Sequence, residues 1–235
     1  MKTKIALLVI CIFGIMSLNA QTRFGVRGGI DYSTMNVKLK YQNDSGIKGL
    51  LSYHLGLISD YRINDNFFLT TSLLLSKKGF NQEIDDLDSI TKFRVTPYYI
   101  EVPVLGEYKL KVNRMNMLFG FGPYFSYGIF GSVDLDIKSN TIDINYSENI
   151  RWSKYGDLFL IESEKIVYSY GYSKIKRIDY GVSFEFGLEY ESLILSIRYS
   201  YGLANLMWEY YTNEKMSNQN IGISLNYMFS SKKNK

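Results

Sequence analysis

The 235-residue chain has little of what most metal and hydrolytic sites are built from. It holds one cysteine, Cys11, and one histidine, His54. A zinc site assembled from several thiolates and imidazoles is excluded on those numbers, and so is a disulfide framework. Proline is scarce, at 3 residues, and beyond the first 20 residues no apolar run approaches the ~20 residues of a membrane-spanning helix. A large charge of one sign is missing too, with 27 basic residues against 23 acidic ones. The small basic excess sits at the ends, in Lys2 and Lys4 and in Lys232, Lys233 and Lys235. The body therefore offers no basic surface to nucleic acid.

What is present is apolar and aromatic. Hydrophobic residues make up 46% and charged residues 21%, a composition that folds. The aromatics are mostly Tyr, 21 of them, with 14 Phe and 2 Trp; 19 Gly accompany them. Tyr suits a surface that is apolar with a wet rim, and Tyr and Phe favour strands.

Residues 1–20 read as a secretory signal peptide. Lys2 and Lys4 precede an apolar run over 5–16, and Ala20 is the small residue at the expected cleavage site. Cys11 lies inside that run with Leu8, Val9 and Ile10 before it, which argues against a lipid anchor there. The mature chain then has no cysteine, and its fold must hold without disulfides.

Period-2 alternation recurs along the rest. Ile221, Ile223, Leu225, Tyr227 and Phe229 alternate with Asn220, Gly222, Ser224, Asn226 and Met228. Eight such segments are predicted, at 22–32, 50–61, 67–78, 94–109, 117–130, 179–190, 193–205 and 219–229. Most exceed the ~5–6 residues of a soluble strand and match a tilted strand that crosses a bilayer. The connections alternate between long (33–49, 79–93, 131–178, 206–218) and short (62–66, 110–116, 191–192). Long loops thus leave one end and short turns the other. The fold class is all-β: a transmembrane antiparallel up-and-down β-barrel of eight strands, spanning 21–230, followed by a basic tail at 231–235. Hydrocarbon offers no partner for backbone N–H and C=O groups, so strands cross it only as a closed ring. The long loop 131–178 contains further alternating pieces. They read as a hairpin above the membrane, with ten wall strands as the alternative; the charges in Asp134-Leu135-Asp136-Ile137-Lys138 suit a lipid face poorly.

Several local patterns carry a resemblance: Phe24-Gly25-Val26-Arg27-Gly28-Gly29-Ile30 in the first segment, Ser76-Lys77-Lys78-Gly79, Tyr99-Ile100-Glu101-Val102-Pro103, Gly120-Phe121-Gly122-Pro123-Tyr124, Asp179-Tyr180-Gly181, and Tyr199-Ser200-Tyr201-Gly202-Leu203-Ala204-Asn205. In this order they resemble the PorT-like group of small outer-membrane β-barrels of the Bacteroidota, barrels of the OmpA/OmpX kind. The resemblance implies an outer-membrane location and no shared active site. It implies an accessory place in a secretion or gliding assembly, and insertion machinery that reads the terminal aromatic Phe229.

In this register Arg27, Asp31, Glu101, Glu107, Lys109, Glu185, Glu189 and Arg198 point into the lumen. Buried charges must pair or stay hydrated, and eight strands leave room for side chains only, so the expectation is an ion-pair plug. His54, with Ser52 beside it on the same face, is the residue a lipid-modifying enzyme would have to use; no orienting acid is legible nearby in the sequence. Glu83, Asp85, Asp86 and Asp88 read as a solvated acidic loop, and the tyrosines of 168–172 as packing within the third loop. The expected function is non-enzymatic: an integral outer-membrane barrel whose loops bind or build surface structure. No cofactor or metal is expected. The expected partners are outer-membrane lipid, the insertion machinery and an envelope or extracellular protein met through the loops. The alternatives are a lipid-modifying enzyme using His54 and a soluble ligand-carrying barrel.

Overall fold

The computed structural model describes residues 22–38, 46–86, 89–140, 143–150, 152, 175–206 and 215–229. The expected signal peptide, the basic tail and the tyrosines of 168–172 lie outside the described residues. Ten strands form: β1 (Thr22–Lys38), β2 (Ile47–Arg62), β3 (Phe67–Lys77), β4 (Phe80–Asp86), β5 (Ser89–Val112), β6 (Met115–Ser139), β7 (Asp143–Asn149), β8 (Ile178–Tyr190), β9 (Leu193–Gly202) and β10 (Lys215–Phe229).

Eight of them close a ring. Antiparallel pairing runs β1–β2, β2–β3, β3–β5, β5–β6, β6–β8, β8–β9 and β9–β10, and β10 returns to β1 from Phe24↔Phe229 to Lys38↔Lys215. These wall strands contain the eight segments expected from period 2, save at two ends. β3 stops at Lys77, and β9 stops at Gly202 rather than 205. There the N–H groups of Leu203 and Ala204 both turn to the carbonyl of Tyr180, at 2.9 and 3.2 Å, and leave the ladder.

The short turns lie where expected; the first two are tighter, and the third is 191–192 as expected. The second, expected over 110–116, is only 113–114, with Asn113 at φ 56°, a backbone region that Asn tolerates. At the turn over 63–66, Asn64 Oδ1 accepts from the N–H groups of Asn66 and Phe67 at 3.0 and 2.8 Å.

The long connections differ from expectation. Residues 79–93 are largely strand rather than loop: β4 pairs with β5 from Phe80↔Val95 to Asp86↔Ser89, and with the start of β2. Glu83, Asp85 and Asp86 of the acidic run therefore belong to a hairpin, and Asp88 lies outside the described residues. Glu83 stands between Lys48 (3.2 Å) and Lys92 (3.1 Å), so cross-strand pairing replaces the expected solvation of a loop. β6 continues to Ser139, and β7 pairs with it from Ser132↔Asn149 to Lys138↔Asp143. Among the described residues β7 pairs with no other strand, so it adds a raised hairpin and not a ninth wall strand.

Outward side chains of the ring are large and apolar. Ile30 on β1, Leu51 and Leu55 on β2, and Ile221, Ile223 and Leu225 on β10 are at least half exposed. Phe119 packs on Phe186 and Phe121 on Phe184 across β6 and β8, with ring centroids 5.1 and 4.7 Å apart. A water-facing surface of this kind is untenable over a whole barrel, while a bilayer covers it. No helix among the described residues is long and apolar enough to cross a membrane.

Two apolar clusters sit inside the ring, one toward each end. Near the turns Ile58, Leu118, Ile194 and Met228 are buried together. At the loop end Met35, Phe80, Val95, Val133, Ile150, Ile175, Leu206 and Met216 form a second cluster, against which Trp152 packs. After β7 the chain turns back into this mouth: Ile150 N donates to the carbonyl of Gly131 (2.9 Å), and the Trp152 indole fills the space a Cβ at Gly128 would take.

Candidate functional site

Polar groups fill the lumen from the level of the turn-end cluster, where Lys109 and Glu189 stand opposite Leu118 and Ile194, up to the loop-end cluster. The eight residues expected to point inward are buried, each with 5% or less of its surface exposed. They join groups that the sequence did not single out: Arg23, Asp60, Lys78, Asp179 and Ser224.

Toward the turns Arg23 of β1 spans Asp60 and Glu189, each at 2.5 Å. Lys109 Nζ meets the same two carboxylates at 2.6 and 3.0 Å, while Glu107 is farther from it, at 3.8 Å. Thr70 Oγ1 donates to Asp60 at 3.1 Å, and the Lys109 ammonium lies 4.4 Å from the centre of the Phe68 ring. Both carboxylates are thus doubly paired, as burial demands.

Three adjacent strands build the middle of the lumen. Gly29 of β1 lies opposite His54 of β2 on one side and Ser224 of β10 on the other. With no side chain at Gly29, the imidazole reaches across β1: His54 Nε2 is 3.0 Å from Ser224 Oγ, and Nδ1 is 2.6 Å from Asp31 Oδ2. Ser52, expected as the neighbour of His54, instead donates to the Asp31 carbonyl at 3.2 Å. The orienting acid lies 23 positions back, brought in by the β1–β2 register. Arg27 Nη2 donates to Glu185 at 2.9 Å and to Ser224 Oγ at 3.2 Å. Arg198, opposite Glu185 on β9, approaches Glu101 at 3.2 Å as an ion pair without hydrogen-bond alignment.

At the loop end the ammonium of Lys78 is held by Glu101 (2.7 Å) and Asp179 (3.1 Å), with Ser126 Oγ at 3.3 Å. It lies 4.5 and 5.2 Å from the ring centres of Tyr124 and Tyr99, so aromatic faces and carboxylates share its charge. Asp179 also accepts from Asn218 Nδ2 at 2.8 Å. Lys78 occupies the break between β3 and β4, beside Gly79 at φ +133°. The left-handed backbone there breaks the strand, so that Lys78 points inward while β4 carries on between β2 and β5 in the place β3 holds lower down.

Chemically, the interior is a network of buried ion pairs and hydrogen bonds interleaved with apolar side chains. No group of His, Cys, Asp and Glu able to hold a metal is found among the described residues. The Asp31–His54–Ser224 series has the order of an acid–base–nucleophile relay. Yet Ser224 and His54 are both buried, and Arg27 already occupies one side of the Ser224 oxygen.

A family model for an outer membrane protein beta-barrel domain matches residues 19–208. No curated protein matches the chain. Among solved structures the chain is similar to the attachment invasion locus protein Ail of Yersinia pestis, with 11% identity over 89% of this chain and 99% of that one and a TM-score of 0.39. It is also similar to the outer membrane protein OprG from Pseudomonas aeruginosa (16% identity, 89% and 96% covered, TM-score 0.40). A third similar structure is Outer Membrane Protein W of E. coli (12% identity, 90% and 100% covered, TM-score 0.39).

Proposed function

Since the chain belongs to the family of the outer membrane protein beta-barrel domain, we propose that it is a closed, non-conducting and non-enzymatic barrel that displays rigid hairpins at the cell surface for binding. It resides in the outer membrane, where short turns face the periplasm and long connections the exterior. The observation that carries the reading is strand length. β5 has 24 residues and β6 has 25, while ~9–11 cross a bilayer. The surplus stands beyond the membrane as paired β-structure with β4 and β7, and a stiff platform loses less entropy on binding than a flexible loop.

The paired lumen supports the non-conducting part. A hydrated path would have to pass the Ile58–Leu118–Ile194–Met228 cluster and then separate Lys78 from Glu101 and Asp179. Planar-bilayer recordings are expected to show no steady conductance steps; reproducible steps would overturn it. Replacing residues 134–148 by a short turn is expected to leave insertion intact and abolish surface binding. Unchanged binding would remove the display role from this hairpin. The Tyr99–Pro103 and Tyr199–Asn205 motifs support the finer placement in the PorT-like group, and with it an accessory role in a secretion or gliding assembly. Phe229, which ends β10, is the aromatic that insertion machinery would read.

The Asp31–His54–Ser224 geometry favours one other reading, a hydrolase. Acyl transfer needs a carbonyl carbon within about 3–3.5 Å of the nucleophile, and Ser224 is fully buried. A fluorophosphonate probe is therefore expected to leave Ser224 unlabelled in the folded protein. A Ser224 adduct that vanishes in His54→Asn would establish the hydrolase instead.

A further inference from the structure

Most glycines on the wall strands make room for the protein itself. At Gly25, Gly56, Gly122 and Gly181 a Cβ would collide with the backbone of a neighbouring strand. Gly106 on β5 is different. It faces outward, and a Cβ there would find nothing nearer than the Phe121 carbonyl oxygen at 3.8 Å. A glycine inside a strand weakens it, and its usual justification is the close approach of a backbone or a ligand. No backbone approaches this one.

The missing side chain opens a groove of about 620 Å³ on the outer surface, within the ~300–1,000 Å³ of small-molecule sites. Gly106 is the floor. Phe67 and Tyr108 form one wall as an edge-to-face pair, with centroids 5.1 Å apart. Phe121, directly opposite Gly106 on β6, leans on Phe184 of β8 and forms the other wall. The lining exposed to the groove is almost wholly apolar and aromatic. Phe67 is the first residue of β3, immediately after the turn over 63–66. The groove therefore opens in the half of the membrane nearer the short turns, the periplasmic leaflet.

We propose that this groove is a binding site for one acyl chain of a glycerophospholipid of the periplasmic leaflet. The chain would lie over Gly106 between the two aromatic walls and fill the notch that a flat strand surface lacks. A methylene chain is thin and flexible enough to follow the notch, and ring faces on both sides give it more dispersion contact than the open lipid face does. A second copy of the protein would have to insert a bulky side chain into the same notch under two-fold symmetry. The immediate lipid needs no such matching surface.

The test reconstitutes the full-length protein in phosphatidylethanolamine and phosphatidylglycerol vesicles carrying a fraction of phosphatidylethanolamine with a diazirine in one acyl chain. After photolysis, adducts are mapped by peptide mass spectrometry. Labelling is expected to be several-fold higher on the β5–β6–β8 face than on the outward residues Ile30 and Ile223 of β1 and β10. Gly106→Leu fills the notch, its Cβ meeting nothing nearer than 3.8 Å, and is expected to lower labelling to the level of that reference face. The variant's folding is checked by its faster migration when unboiled. Equal labelling of both faces, or labelling unchanged in Gly106→Leu, would overturn the site and leave ordinary annular lipid. Displacement of the label by lipopolysaccharide but not by unlabelled phospholipid would overturn the assignment to a phospholipid. A crosslinked dimer formed on photolysis of a Phe121→benzoylphenylalanine variant would replace the lipid with a second copy of the chain.

Discussion

His54 and Ser224 touch across a strand that separates them: Nε2 and Oγ are 3.0 Å apart although β2 and β10 do not pair with each other. The contact exists because Gly29, between them on β1, has no side chain. A Cβ at Gly29 would meet His54 Nε2 at 2.8 Å and press on the Ile223 carbonyl as well. Gly29→Ala is thus expected to destabilise the barrel by about 1–3 kcal/mol, the range for forcing an extra carbon into a packed interior. Urea titration in bilayers, followed by Trp fluorescence, would measure it. An unchanged midpoint would mean that the imidazole moves aside freely and is not held by Asp31 and Ser224.

Lys109 and Glu107 differ sharply in consequence although they lie two residues apart on one face. Lys109→Met leaves Asp60 and Glu189 with Arg23 as their remaining cationic partner, and removing one member of a buried pair costs about 3–5 kcal/mol. Glu107 lies 3.8 Å from an ammonium that two closer carboxylates already hold. Glu107→Gln is expected to change stability by less than about 1 kcal/mol, or to raise it, since it removes a carboxylate from a lumen with seven carboxylates against five Lys and Arg. The same titration compares the two variants. Equal losses would show that Glu107 is paired as strongly as its neighbours.

Outside the membrane, Glu83 is held below the usual carboxylate range by hydrogen bonds and charge from Lys92 and Lys48. A carboxyl whose folded-state value is lowered adds stability above its unfolded value, and that contribution is lost as pH falls through the folded one. The β2–β4–β5 extension is therefore expected to loosen on acidification only after ordinary glutamates have been protonated. Carboxyl NMR of Glu83 against pH is the measurement. Lys92→Ala is expected to move its midpoint upward, and a midpoint that does not move would remove Lys92 as the cause.

Ring closure itself has a simple assay. A barrel with every edge paired should resist detergent at room temperature, so the unboiled protein is expected to run faster on SDS gels than the boiled one and to come from the outer-membrane fraction. Identical mobility with and without boiling would mean that the ring opens in detergent.

The membrane-spanning part of this architecture was legible because two independent signals coincide there: large side chains at every second position and loop lengths that alternate between the two ends. Above the bilayer both signals fade. β7 is exposed along nearly its whole length, so no apolar alternation marks it, and β4 looked like a loop because its sequence is acidic, although Glu83 is paired across strands with Lys48 and Lys92. Inward charges could be read from register alone, as with Glu185 and Arg198. Lys78 could not, because it sits at a strand break beside Gly79. The partners of His54 were invisible for another reason: Asp31 and Ser224 reach it through pairings of β1 with strands at opposite ends of the chain, and nothing in local sequence records them.

The seam between β1 and β10 has a consequence for biogenesis. The first wall strand finds its second neighbour only when the last has emerged, so any shorter product keeps two open edges whose amides hydrocarbon cannot satisfy. Completion of translation thereby becomes a condition of residence in the membrane. A prematurely released chain is left with an unclosed seam in place of a ring that hydrocarbon can hold.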